Sequence, residues 1–278
     1  MRRGATHAQA GFTLVELILV MVITGIVAAM VAVFIRQPID AYLDSARRAS
    51  LTDVADTAAR RIARDLQAAL PNSARVDGSG KYLEYVPIHD AGRYRADVGA
   101  AAAPGDPLDF SDAMDSGFDV LGPKVTVLAG DSLVVYNLGI AGADVYETPL
   151  SNRRSASAGS SLSKVSFTST GTALPFASPG SRFQIVGTPV SYVCDASTQT
   201  LWRYSGYAFQ PTQPTTLSTL NGLAGVAKAA LATNVSGCAF NYRAGVLQHN
   251  GLVSVSLTVT QAGESVTLQH QVNVDNVP

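Results

Sequence analysis

The feature that most constrains this chain is an apolar run, Phe12 to Ile35, that holds a single charge, Glu16. The run is 24 residues long, and about 20 helical residues cross the hydrocarbon core of a bilayer. Arg36 closes it. A transmembrane helix over 12–35 is the expectation. Ahead of it, residues 1–11 carry Arg2 and Arg3 and are otherwise small or polar. Basic residues favour the cytoplasmic side of a membrane, so the N-terminus should stay inside while the rest is exported. A secretory signal peptide has a shorter apolar region followed by its small-residue cleavage site. Here the small-residue string Gln9-Ala10-Gly11 comes before the apolar run. Cleavage there removes a leader, 1–11, and leaves the membrane helix on the mature protein.

Glu16 is the informative residue. A carboxylate at bilayer depth costs about 3 kcal/mol on insertion scales, and such residues are usually paired and functional. Cleavage before Phe12 creates an α-amino group four residues from Glu16, one helical turn or about 6 Å of rise. Two readings are open. The amine pairs with Glu16 of its own or a neighbouring subunit, or Glu16 snorkels to the interface near the helix start. Gly25 and Ala29 form a small-xxx-small pair suited to close helix contact, although an ordinary membrane glycine reads the same way.

The string Gly11-Phe12-Thr13-Leu14-Val15-Glu16-Leu17 resembles the N-terminal signal of type IV pilins and type II secretion pseudopilins. It joins a cleavage glycine, an aromatic, an acid and an apolar run in fixed order. The resemblance implies that a prepilin peptidase cuts after Gly11 and methylates Phe12. It also implies that Glu16 neutralises the Phe12 amine during filament assembly. Implied partners are major and minor pilin subunits and an inner-membrane assembly platform. The implied location is the bacterial inner membrane, single-pass with the head periplasmic, and then a filament. One departure is visible. Major pilins often carry a proline within the apolar run; here Met30-Val31-Ala32-Val33-Phe34 has none, and Pro38 comes later.

Residues 36–71 read as an amphipathic stalk helix, clearest over 39–70. Leu51, Val54, Ala58, Ile62, Leu66 and Ala69 share one broad face, and Asp53, Asp56, Arg60 and Arg64 the other. Asp44 and Arg48, and Asp56 and Arg60, are i,i+4 pairs in the favourable order. Pro71 stops the helix. A head over 72–278 should be mostly β, so the fold class is α+β: a long N-terminal helix packed on an antiparallel β head. Strand candidates are Tyr82–Ile88, Ser132–Leu138, Lys164–Thr168, Arg182–Val186, Pro189–Cys194 and Thr200–Tyr204. A C-terminal hairpin is the clearest element. Val253, Val255, Leu257 and Val259 alternate with Ser and Thr, Gln261-Ala262-Gly263-Glu264 turns, and Val266, Leu268, Val272 and Val274 return. His270 falls on that apolar face and reads as a partly buried, hydrogen-bonded histidine. Stretches 99–123 and 147–163 read as long irregular loops, the second rich in Ser with Arg153 and Arg154.

Chemistry is sparse. Charged residues are 15 % of the chain, below the usual ~25 %, as a membrane segment and a Ser/Thr-rich head would require. The net charge is −1, and loss of Arg2 and Arg3 leaves 18 basic against 21 acidic residues, or −3. No basic balance argues for nucleic acid. Asp106, Asp109, Asp112 and Asp115 are spaced by three, whereas a calcium loop needs ligands at every second residue; a solvated acidic loop fits better. His7, His89, His249 and His270 show no metal-ligand spacing. No set is arranged for nucleophilic or acid–base catalysis, so neither enzyme activity nor a cofactor is expected. Cys194 and Cys238 both lie in the exported part, where thiols oxidise; a bridge and two buried thiols are the readings left open.

Short strings in the head extend the resemblance. Ser178-Pro179-Gly180-Ser181-Arg182-Phe183, Pro189-Val190-Ser191-Tyr192-Val193-Cys194-Asp195 and the end from Leu268 to Pro278 resemble minor pilins of the mannose-sensitive haemagglutinin type. So do Gly105 to Phe110 and Arg60 to Leu66. That resemblance implies a low-abundance subunit acting in pilus assembly or initiation. A minor pseudopilin similar to the J component of type II secretion predicts the same N-terminus. A membrane-anchored periplasmic binding module that never polymerises predicts instead that Glu16 is dispensable.

Overall fold

The computed structural model describes residues 11–100, 104–149, 152–245 and 250–276, without the side chains of Arg36 and Gln37. The chain falls into two compact units, residues 1–50 and 51–278. One helix, α1 (Leu14–Gln67), runs from the first into the second. It continues through Pro38. In the first unit its large apolar side chains, from Leu14 to Ile35, are all exposed, and the segment is long and apolar enough to cross a membrane. Asp44 pairs with Arg47 at 2.8 Å.

In the second unit the helix becomes one wall of a core. Leu51, Ala55, Ala58, Ile62 and Leu66 are buried along one face, the i, i+4, i+7 pattern that puts side chains on a single stripe. The opposite face carries Asp53, Arg60 and Arg64, with Arg60 paired to Asp56. The helix closes after Gln67; Ala68 N–H still donates to Arg64 O, and Pro71 follows, a residue that cannot continue it.

The strands follow in chain order. They are β1 (Arg75–Val76), β2 (Tyr82–Tyr85), β3 (Ile88–Tyr94), β4 (Gly117–Leu121), β5 (Val125–Val127), β6 (Ser132–Val134), β7 (Arg153–Ser155) and β8 (Gly159–Leu162). Then come β9 (Lys164–Ser166), β10 (Arg182–Val186), β11 (Val190–Asp195), β12 (Thr200–Ser205), the short helix α2 (Leu217–Gly222), and β13 (Ala227–Ala232). The chain ends with β14 (Val235–Arg243), β15 (Gly251–Gln261) and β16 (Glu264–Val274). Three sheets result, ordered β1-β2-β11-β12-β13, β7-β6-β10-β3-β4-β9 and β14-β15-β16, with β5-β8 as a separate ribbon. The named strand pairs are antiparallel. The expected α+β class, a long helix and an antiparallel β head, is what the chain adopts.

Two main cores form. The first joins the buried face of α1 to the first and third sheets: Leu83, Tyr192 and Leu201 on one side, Val253, Val255, Leu257, Val259, Val272 and Val274 on the other. The second lies under the six-stranded sheet and centres on Phe118, whose ring meets Tyr94, Phe167 and Phe183 at 5.0–6.3 Å.

Several sequence expectations need correcting. Tyr82–Ile88 is not one strand. It breaks at Val86-Pro87, and β2 and β3 join different sheets. Pro87 has no N–H to give a ladder, so the chain changes sheets there. The strand starting at Ser132 stops at Val134, because Tyr136 takes φ 53° and Asn137 is buried in side-chain hydrogen bonds. Stretch 147–163 is not a loop throughout: β7 and β8 lie in it, and Arg154 is buried. Its Nη2 donates to Thr172 O at 2.7 Å. Likewise β4 lies inside 99–123.

Candidate functional site

The N-terminal segment is built from the helix start. Gly11, Phe12 and Thr13 precede α1. Thr13 caps it: its Oγ1 accepts from Glu16 N–H at 3.3 Å, and its carbonyl accepts from Leu17 N–H at 3.1 Å. Thr13-Leu14-Val15-Glu16 therefore has the capping-box spacing, with the acid three residues after the cap. The free N–H groups of a first turn carry partial positive charge, so Glu16 also suits the helix that bears it. Sequence reasoning overlooked Thr13; the T-x-x-E pattern was the available signal. Phe12 is 79 % exposed and Gly11 has open space around its Cα. Nothing in the described residues of this unit shields the peptide bond that joins them. The leader, apart from Gly11, lies outside the described residues, as does His7.

In the head, ionisable groups fasten elements together. Asp65, near the end of α1, accepts from Tyr85 and Tyr192 hydroxyls at 2.8 and 2.7 Å and from Arg61 Nε at 3.0 Å; Arg203 Nε lies 3.4 Å away. Burial pushes its carboxyl up, but these donors and cations outweigh it and hold the carboxyl below the usual range. Glu84 on β2 is fully buried. Arg75 Nε reaches it at 2.6 Å and the Tyr207 hydroxyl at 2.8 Å. Burial dominates here and raises the carboxyl, against Arg75 and Tyr207. Both acids are occupied by structural partners.

The other sequence candidates resolve similarly. Cys194, in β11, and Cys238, in β14, are joined as a disulfide with Cα atoms 5.7 Å apart. The link ties the first sheet to the third. The acidic loop serves turns: Asp109 Oδ1 accepts from Ser111 N–H at 2.7 Å, Asp112 Oδ1 from Met114 N–H at 2.8 Å and Asp115 Oδ2 from Asp109 N–H at 2.8 Å. Among the described residues, no three His, Cys, Asp or Glu side chains are grouped to hold a metal. His89 Nδ1 faces Asp131 at 2.9 Å. His270 is half-buried opposite Val255, and His249 lies outside the described residues.

No match was found among curated proteins or among solved structures. Residues 6–32, the stretch that holds Gly11, Phe12 and Glu16, match the prokaryotic N-terminal methylation motif.

Proposed function

We propose that this chain is a minor subunit of a type IV pilus of the mannose-sensitive haemagglutinin kind, similar to the minor pilin MshO. The observation that supports the pilin-like part of the reading is the methylation motif at residues 6–32, placed at the start of an uncovered apolar helix. A prepilin peptidase cuts between Gly11 and Phe12 and methylates the new amine of Phe12. The apolar half of α1 holds the subunit in the inner membrane with the head in the periplasm. On assembly, the Phe12 amine meets Glu16 of a neighbouring subunit and the helix moves into a filament core. The role is structural, and its partners are the peptidase, other pilin subunits and the assembly platform. The head strings from Ser178 and from Pro189 support the minor-pilin member; a J-like pseudopilin shares the N-terminal chemistry.

The test is N-terminal mass analysis of the membrane-extracted protein. The expected mass begins at N-methylated Phe12. An intact Met1 on the assembled protein would sink the reading. Glu16→Ala should still be cleaved yet fail to enter filaments; normal filament entry of that variant would overturn the assembly role of Glu16, and a parent chain that functions without ever entering filaments would point to an anchored module that never polymerises.

A further inference from the structure

The third sheet has two unequal edges. The outer edge of β14 is occupied: Phe240 N–H donates to Gly80 O at 2.8 Å, Val235 N–H to Gln199 O at 2.8 Å, and Cys238 is bonded to Cys194. The other edge is β16, eleven residues long and paired on one side only, to β15. Its ladder runs from Gln261↔Glu264 to Gly251↔Val274 without a register shift. Ser265 to Val274 contains no charge and no proline. Sheet edges are ordinarily blunted by charges, prolines, bulges or a covering element, because a bare edge pairs with another strand. From Ser265 to Val274 this edge has none of these among the described residues.

The alternation of an antiparallel ladder tells which groups are offered. The turn at Ala262-Gly263 makes Gln261 and Glu264 a hydrogen-bonded pair, and such pairs alternate along the strands. Residues 266, 268, 270, 272 and 274 therefore bond to β15. The N–H and C=O groups of Ser265, Thr267, Gln269, Gln271 and Asn273 point outward. Their side chains are exposed, polar and uncharged. On the opposite face Val266, Leu268 and His270 are only half-buried, although Val266 and Leu268 pack on the first core.

This edge is complementary to itself. We propose that β16 pairs antiparallel with β16 of a second copy of this chain, about a two-fold axis at Gln269. That register places Gln269 opposite Gln269, Thr267 opposite Gln271 and Ser265 opposite Asn273, all able to hydrogen-bond. Across the other face it places Val266 opposite Val272 and Leu268 opposite His270, covering the half-buried side chains. All five outward residues pair; a shift by two residues in either direction leaves some without a partner. Glu264 falls opposite Val274, so no like charges meet directly. The outcome is a six-stranded sheet, β14-β15-β16 continued into its symmetry mate, with the same patch used on both copies. The pairing goes beyond the pilin reading and does not depend on it.

The test uses the full chain in detergent micelles and in membranes. Hydrogen-bonded antiparallel pairs have Cα atoms about 5.5 Å apart, within the range a disulfide spans. Gln269→Cys should therefore oxidise to a covalent dimer, Ser265→Cys should not, and the double variant Ser265→Cys/Asn273→Cys should. Gln269→Pro should abolish the dimer with an unchanged melting temperature, because proline at an outward position leaves the β15 ladder intact. Gln269→Lys should abolish it too, and mixing that variant with Gln269→Glu should restore it. Equal cross-linking at positions 265 and 269 would overturn the proposal. So would a dimer that survives Gln269→Pro, which would place the association in the apolar helix. An association lost with Gln269→Pro but kept with Gln269→Lys would mean a strand of a different protein, and would overturn it as well.

Discussion

Asp65 and Glu84 sit beside the same first sheet and respond to pH in opposite senses. The Asp65 carboxyl is held below its ordinary value, so the folded chain binds its proton less readily than the unfolded one. Its contribution is present above the unfolded carboxylate range, near 4, and is lost as pH falls through the lowered value. Asp65→Asn keeps an acceptor for Tyr85 and Tyr192 but removes the charge facing Arg61 and Arg203. A loss of about 2 kcal/mol near neutral pH is expected, shrinking in acid, as read from urea titrations across pH. Glu84 is raised above its ordinary value, so the folded chain holds that proton more tightly. Its favourable share is present in acid and is lost as pH rises through the raised value. Glu84→Gln should remove this pH slope while keeping the Tyr207 contact. Glu84→Ala should cost about 3 kcal/mol, since it leaves Arg75 without its buried partner. A Glu84→Gln protein whose melting temperature follows pH as the parent's does would contradict this account.

The elements that sequence made legible are those whose burial repeats in register. β15 and β16 alternate cleanly, and the buried stripe of α1 has helical spacing. Of the elements that stayed hidden, β7 and β8 lack an apolar alternation, while β14 has one interrupted by a register shift between Val235 and Gly237. β8 reads Gly-Ser-Ser-Leu and β7 reads Arg-Arg-Ser; their pairing is set by neighbours rather than by their own side chains. Arg154 could not be read as buried, because its acceptor Thr172 lies in a separate loop. The acid of the N-terminal site was legible, whereas the cap at Thr13 is signalled only by the T-x-x-E spacing inside an apolar run. The β15–β16 turn yields a direct prediction. Ala262 takes φ 50° and Gly263 φ 86°, the two positive values of a type I′ turn, which prefers Asn-Gly. Ala262→Asn should stabilise the head by about 0.5–1 kcal/mol, measured as a higher denaturation midpoint; a lower midpoint would refute the turn assignment. In α1, Pro38 supplies no N–H, so the Phe34 carbonyl lacks its usual donor four residues on, within an unbroken helix.

For the molecule as a whole, the Cys194–Cys238 link crosses between sheets that share the first core. Closing a loop of this length, 44 residues apart, stabilises by about 4 kcal/mol on the chain-entropy estimate. Native protein should resist alkylation until reduced, and Cys238→Ala should melt well below the parent. Two thiols alkylated without reductant in the native protein would exclude the bridge there. The shared core has a further consequence, in time rather than space. On the proposed topology Leu51 to Leu66 would be among the first residues past the membrane segment to emerge, yet they pack with strands that end at Val274. A chain exported from its N-terminus must hold that greasy stripe open while some two hundred residues follow. The earliest part of this core to arrive would thus be among the last to be sealed, and any shortfall at the C-terminus leaves the inner face of the helix bare to solvent.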